Sequence, residues 1–160
     1  MKKGILYLVV ALLFFMGCTP QLETETGEKL SPEFSKLFQA VSISKTFYEQ
    51  SRELIKDGAN QGIIPESKKD QVIEAAKMYK ETHNAAQRAV RTWYSATIAD
   101  EDYNVDYAMR MLVEVTDQGR LLTKIVDRVS DGEISLPENM LPSIMHVARI
   151  VLDVTKSQGE

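Results

Sequence analysis

The chain has 160 residues, of which 44% are hydrophobic and 26% are charged, with 19 Lys and Arg against 23 Asp and Glu. This length and composition suit one folded domain and exclude a disordered chain. The net charge of −4 gives no reason to expect a nucleic-acid partner. A single cysteine excludes an internal disulfide framework.

Residues 1–17 have the form of a secretory signal peptide. Lys2 and Lys3 give a basic start, and an uncharged, mostly apolar run follows as far as Gly17. This run is shorter than the roughly 20 apolar residues that a membrane-spanning helix needs. The one cysteine of the chain, Cys18, comes directly after it.

The sequence Phe15-Met16-Gly17-Cys18 resembles the lipobox of bacterial lipoproteins, in which a small residue precedes the cysteine. The resemblance covers residues 1–18 only. It implies that the signal peptide is removed and that Cys18 is acylated, with palmitate among the acyl groups, and anchors the protein in the cell envelope. Thr19, where an Asp would resemble a retention signal, implies the outer membrane facing the periplasm if the host is Gram-negative. The alternative is an uncleaved short anchor with an ordinary thiol.

The chain after Cys18 divides into a tether and a folded domain. Residues 18–30 are polar and without hydrophobic periodicity, which predicts a flexible tether. Residues 31–157 carry apolar side chains at helical spacing, and no stretch alternates with a period of two. This segment is therefore predicted to form a helical domain without strands.

Start and stop signals divide the domain into four predicted helices. Ser31-Pro32 is a helix start, Gly58 and Gly132 are helix ends, and Pro142 imposes a short turn before the last helix. The predicted bounds are about 31–58, 65–98, 101–131 and 143–156. Because short connections make neighbouring helices antiparallel, the predicted fold is all-α, an antiparallel up-down four-helix bundle.

Folding neighbouring helices onto each other predicts two contacts between large and small residues. Gly119 of the third helix falls near Tyr79 of the second, whose ring would occupy the space that the glycine leaves. Phe34 and Phe38 of the first helix fall near small residues of the second. These are Ala85, Ala86 and Ala89.

The sequence contains none of the usual signatures of catalysis or cofactor binding. Neither His83 nor His146 has a carboxylate at the neighbouring positions on its helix face, as a metal site would require. There is no glycine-rich phosphate loop and no nucleophile elbow. We therefore expect no metal, no cofactor and no enzymatic activity.

Two clusters lie at opposite ends of the predicted bundle, and each either plugs the core or forms a contact surface. The aromatic cluster, at the reversal between the second and third helices, consists of Trp93, Tyr94, Tyr103 and Tyr107. The apolar cluster, in the two connections at the other end, consists of Ile63, Ile64, Leu136, Met140 and Leu141.

These features predict a non-enzymatic, lipid-anchored envelope protein that binds another envelope protein. Because the tether joins the start of the first helix, the aromatic cluster should face the membrane, and the apolar cluster should contact the partner. The alternative is a carrier of a small apolar ligand within the bundle. A slot lined by Phe34, Phe38, Tyr48 and Met145 would favour that carrier.

Overall fold

The computed structural model describes residues 32–99 and 105–157. These residues form four helices, and the predicted all-α class is confirmed. The helices are α1 (Pro32–Asn60), α2 (Lys69–Ile98), α3 (Val105–Val129) and α4 (Leu141–Ser157), with single 3₁₀ turns before α2 and α4 (Glu66–Lys68 and Glu138–Met140). The predictions for Cys18, Ser31 and Tyr103 lie outside the described residues.

Helices that follow one another in the chain pack side by side, and α1 also packs against α4. The most extensive interfaces are those of α2 with α3 and of α1 with α4. The Phe34 ring, near the start of α1, lies against Trp93, near the end of α2, which makes these helices antiparallel. The arrangement agrees with the predicted four-helix bundle.

The end of α1 lies further along the chain than predicted. Gly62 adopts a positive φ of 76°, and its N–H donates to the Ala59 carbonyl at 3.3 Å. The N–H of Ile63 donates to the Gly58 carbonyl at 2.9 Å, which completes a Schellman cap. Gly58, the predicted end, is therefore inside the helix. It is buried there, and an added Cβ would meet Ile134.

The other helix ends follow the predicted signals closely. Asp131 and Gly132 adopt positive φ angles of 50° and 81° after α3, as a left-handed helix stop requires. Pro142 is the second residue of α4. In the first turn of a helix the missing N–H costs no intrahelical hydrogen bond, so α4 begins slightly before the predicted position.

The predicted contact of Gly119 with Tyr79 is confirmed. A Cβ added at Gly119 would lie 3.2 Å from Cε2 of Tyr79, and 2.6 Å from Cδ2 of Leu141. Leu141, the first residue of α4, is thus a second neighbour that the pairing of α2 with α3 did not reveal. Tyr79 and Leu141 are both fully buried.

The predicted register of α1 against α2 is displaced. The Phe34 ring centroid lies 4.2 Å from that of Trp93 and 4.6 Å from that of Tyr94. These residues are about one helical turn beyond the predicted alanines. The rings of Trp93 and Tyr94 therefore face the start of α1.

The aromatic cluster divides between core and surface. Trp93 is buried, Tyr94 is half-buried, and Tyr107 is 46% exposed. The Tyr107 ring lies 6.0 Å below the guanidinium carbon of Arg110. Trp93 belongs to the core, whereas Tyr107 belongs to the surface of α3.

Candidate functional site

Three of the five residues in the apolar cluster are part of the core. Ile64, Leu136 and Leu141 have exposed fractions of 2%, 4% and 0%. Little of these side chains is accessible in the folded bundle, so Leu136 and Leu141 are poor candidates for contact residues. Ile63 and Met140 are half-buried, so a contact through these two remains a prediction.

The accessible apolar surface near this end of the bundle is a groove between α1 and α2. It has a volume of about 340 Å³. Its lining extends from Tyr48 to Ala59 on α1 and from Lys69 to Lys77 on α2. Ile64, in the connection between these helices, also lines it. We call this surface the α1–α2 groove.

Helical spacing explains the apolar floor of the groove. Tyr48, Ile55 and Ala59 recur at intervals of seven and four on α1. On α2, Val72 and Ile73 precede Ala76 by four and three residues, so they lie on the same side of the helix. The two alanines have no side chain beyond Cβ, so each leaves space that a larger residue would fill. Ile73 is 47% exposed although it is apolar.

The rim of the groove is cationic. Arg52 and Lys56 lie on the α1 side, and Lys69 and Lys77 lie on the α2 side. The lining contains no acidic residue. Lys69 pairs with Glu66, their charged atoms 2.5 Å apart. The groove is therefore a locally positive surface on a chain of net charge −4.

A buried polar cluster joins α1 to α2 further from the connection. The Tyr79 hydroxyl donates to the Ser44 carbonyl at 3.0 Å. The Ser44 hydroxyl lies 2.9 Å from the Tyr79 hydroxyl and 2.9 Å from Nδ1 of His83. One proton assignment satisfies all three contacts, with Ser44 donating to Tyr79 and the Nδ1–H of His83 donating to Ser44.

Burial shifts the titration of both ionisable members of this cluster. Desolvation raises the pKa of the Tyr79 hydroxyl above its ordinary value, and the hydrogen bond to Ser44 opposes that shift. Desolvation lowers the pKa of His83, the charge of Lys45 lowers it further, and Glu49 opposes both. Ser44 is fully buried, so a substrate cannot reach this Ser–His pair in the folded bundle. Its hydrogen bonds stabilise the packing of α1 against α2.

The proposed carrier slot is not assembled. Tyr48 lines the α1–α2 groove, whereas Met145 lines a separate pocket of about 280 Å³ between α3 and α4. Phe34 and Phe38 pack against Tyr94. The pocket beside Met145 is also lined by His146 and by the ion pair of Arg120 with Asp117, whose nitrogen and oxygen are 3.1 Å apart.

Within residues 32–99 and 105–157, no group of three or more His, Cys, Asp or Glu side chains is placed to hold a metal ion. None of the helices in this part of the chain is long and apolar enough to cross a membrane. Comparison of the chain with protein-family models, curated proteins and solved structures finds no significant match.

Helical periodicity did not reveal the α1–α2 groove, although part of its signal is visible in the sequence. Arg52 and Lys56 are four residues apart, and Lys69 and Lys77 are eight apart, so each pair shares a helix face. Recognising the groove also required the distance between α1 and α2. Local periodicity does not contain that distance.

Proposed function

We propose that this chain is a lipid-anchored, non-catalytic interaction module of the cell envelope that binds another envelope protein. The observation that supports binding is the α1–α2 groove, an exposed apolar surface with a cationic rim. Exposed apolar patches bordered by polar residues are typical of protein contact sites. Ile73 is the most exposed apolar residue in this groove.

The proposed anchor is Cys18, supported by the lipobox-like sequence at the end of the apolar run. Multiple acyl chains would attach the protein stably, whereas a single chain binds membranes only marginally. The groove includes the C-terminal half of α1, whereas the predicted tether precedes the N-terminal end of that helix in the chain. On this proposal the groove faces away from the membrane and is accessible to a partner in the periplasm of a Gram-negative host.

Intact-mass measurement of the membrane-extracted protein tests the anchor. The mature chain should begin at Cys18 and carry acyl groups, and Cys18→Ser should prevent both cleavage and acylation. A mature protein that retains Met1, or one that is cleaved elsewhere without acylation, would contradict the anchor.

Photocrosslinking in the native cells tests the binding function. A photoreactive residue in place of Ile73 should crosslink to one envelope protein. Leu121 of α3, which is 42% exposed and does not line the groove, is the matched control position. Failure of position 73 to crosslink, or equal crosslinking from position 121, would overturn the groove as the binding site.

The carrier function is the second candidate. A groove of about 340 Å³ falls within the size range of small-molecule pockets. The residues proposed for the carrier slot are, however, distributed among different parts of the bundle. Extraction of the purified acylated protein followed by small-molecule mass spectrometry would distinguish the candidates, because a carrier should retain a stoichiometric apolar ligand.

A further inference from the structure

We propose that the α1–α2 groove binds an acidic amphipathic helix of the partner protein. This inference depends on the proposed function, since it specifies the chemistry of the protein that the groove accepts. The length of the groove, the chemistry of its floor and the distribution of its charges all support this inference.

The length of the groove suits a short helical segment. The α1 wall from Tyr48 to Ala59 spans about 16 Å at the rise of an α-helix, which is about three turns. A helix lying in such a groove presents apolar residues at positions i, i+4 and i+7. Ile55 and Ile73 provide apolar surface for these residues, and Ala59 and Ala76 provide space.

The rim is available to anionic groups from outside the bundle. Arg52, Lys56 and Lys77 form no ion pair with any residue that the structure describes. These side chains lie beside an apolar floor, where a charge–charge contact is less screened than on an open surface. A partner with carboxylates beside its apolar stripe would complement them.

The distribution of cations distinguishes between anionic partners. A fatty acid carries one carboxylate at one end, and it would require cations at one end of the groove. Here the cations lie on both walls and over most of the groove length. The antiparallel packing places Lys77 near the level of Tyr48, and Lys69, which pairs with Glu66, near that of Lys56. This pattern matches acidic residues on both sides of an apolar stripe.

A bilayer surface fits the groove less well than a helix does. The apolar floor is recessed between two helices, so a planar membrane could contact the cationic rim but not the alanines of the floor. An amphipathic helix can satisfy the rim and the floor together. Both features of the groove therefore favour a helix.

Designed peptides test the inference. The probe is a labelled helical peptide with Leu at i, i+4 and i+7 and Glu on both sides of the stripe. One control peptide has Lys in place of Glu, and a second retains every Glu but breaks the periodicity of Leu. Binding to the acylated chain in nanodiscs of zwitterionic lipid is measured by fluorescence anisotropy, with empty nanodiscs subtracted. Only the first peptide should bind, and its affinity should fall with added salt.

Charge reversal of the rim provides the decisive comparison. The variant Arg52→Glu/Lys56→Glu/Lys77→Glu should lose affinity for the Glu peptide by about tenfold or more and gain affinity for the Lys peptide. A matched variant, Lys80→Glu/Arg88→Glu/Arg91→Glu, changes the same net charge at exposed positions of α2 outside the groove. It should retain the original preference. Circular dichroism should show equal helicity for all three proteins.

Several results would overturn the inference. These are equal binding of the Glu peptide by both variants, equal binding of the peptide without periodicity, or displacement by palmitate or by anionic vesicles. Self-association of the chain through position 73 would also overturn it. If position 73 crosslinks to an envelope protein in cells while the Glu peptide does not bind, the inference fails and the proposed function stands.

Discussion

Small residues of the helices have two different environments. On one side of the bundle, which we call the sealed side, larger side chains cover them, whereas in the α1–α2 groove they are left open. On the sealed side, Ile134 packs over Gly58 and Leu141 packs over Gly119. In the α1–α2 groove, Ala59 and Ala76 line open space. Gly58 and Ala59 are consecutive residues of α1, yet one is buried under a side chain and the other faces the groove.

This difference shows that a glycine or alanine leaves space, here called a notch, on the helix surface. The small residue does not determine whether another side chain fills that space. Leu141 is the first residue of α4, and Ile134 lies in the connection before it. Both are therefore supplied by the segment after α3. No described segment supplies an equivalent side chain to the α1–α2 groove. A filled notch contributes packing to stability, whereas an open one remains available to a ligand.

The largest expected effect is on the sealed side. Leu136→Asp places a carboxylate at a position that is 4% exposed. Because the buried charge has no partner, the free energy of unfolding should fall by about 3 kcal/mol or more. Ile63→Asp, at a half-buried position, is the control and should cost less than about 1 kcal/mol. Urea denaturation followed by circular dichroism measures the free energy of unfolding of both variants. Similar decreases for the two would mean that Leu136 is not buried as the structure shows.

Gly119→Leu should have the next largest effect. Its Cβ alone would lie 2.6 Å from Leu141 and 3.2 Å from Tyr79, so overpacking should cost about 1–3 kcal/mol. Leu141→Ala should partly restore stability. Tyr79→Ala should not, since it also removes the hydrogen bond from Tyr79 to the Ser44 carbonyl. A neutral Gly119→Leu would disprove this contact.

Acid should destabilise the part of the α1–α2 interface that contains the polar cluster of Ser44, Tyr79 and His83. Burial lowers the pKa of His83 below its ordinary value of 6.5, so the unfolded chain binds a proton more readily than the folded bundle. The contribution to stability is therefore complete above pH 6.5 and decreases as the pH falls below it. Thermal unfolding between about pH 5 and 7 measures this dependence. His83→Gln should make the midpoint less sensitive to pH, and an unchanged dependence would exclude His83 as its source.

The smallest effect is expected in the groove. Ala59→Leu should change the free energy of unfolding by less than about 0.5 kcal/mol, because its side chain extends into open space. The adjacent change Gly58→Leu should cost about 1–3 kcal/mol, because Ile134 occupies that space. Equal changes in the free energy of unfolding at positions 58 and 59 would contradict the difference between the sealed side and the α1–α2 groove. Ala59→Leu should nevertheless reduce crosslinking from position 73 if the groove holds the partner.

Hydrophobic periodicity was sufficient to predict the fold class and the approximate extent of every helix. Period, proline and glycine signals are local, so they do not depend on the rest of the chain. The Gly119–Tyr79 contact could also be predicted, because the connection between α2 and α3 is short and limits their register. The end of α1 was displaced because Gly58 and Gly62 each carry a stop signal, and the positive φ that ends the helix is at Gly62. Gly58 remains inside the helix, where the absence of a Cβ leaves room for Ile134.

The accessible surface depended on tertiary structure. From the sequence, Leu136 and Ile63 were equivalent apolar residues in connections, whereas packing buries the first and leaves the second half-buried. The groove is lined by one alanine of each helix, and none of its lining side chains comes from α3 or α4. Exposure is a property of how elements meet, and a linear pattern of apolar residues does not contain it.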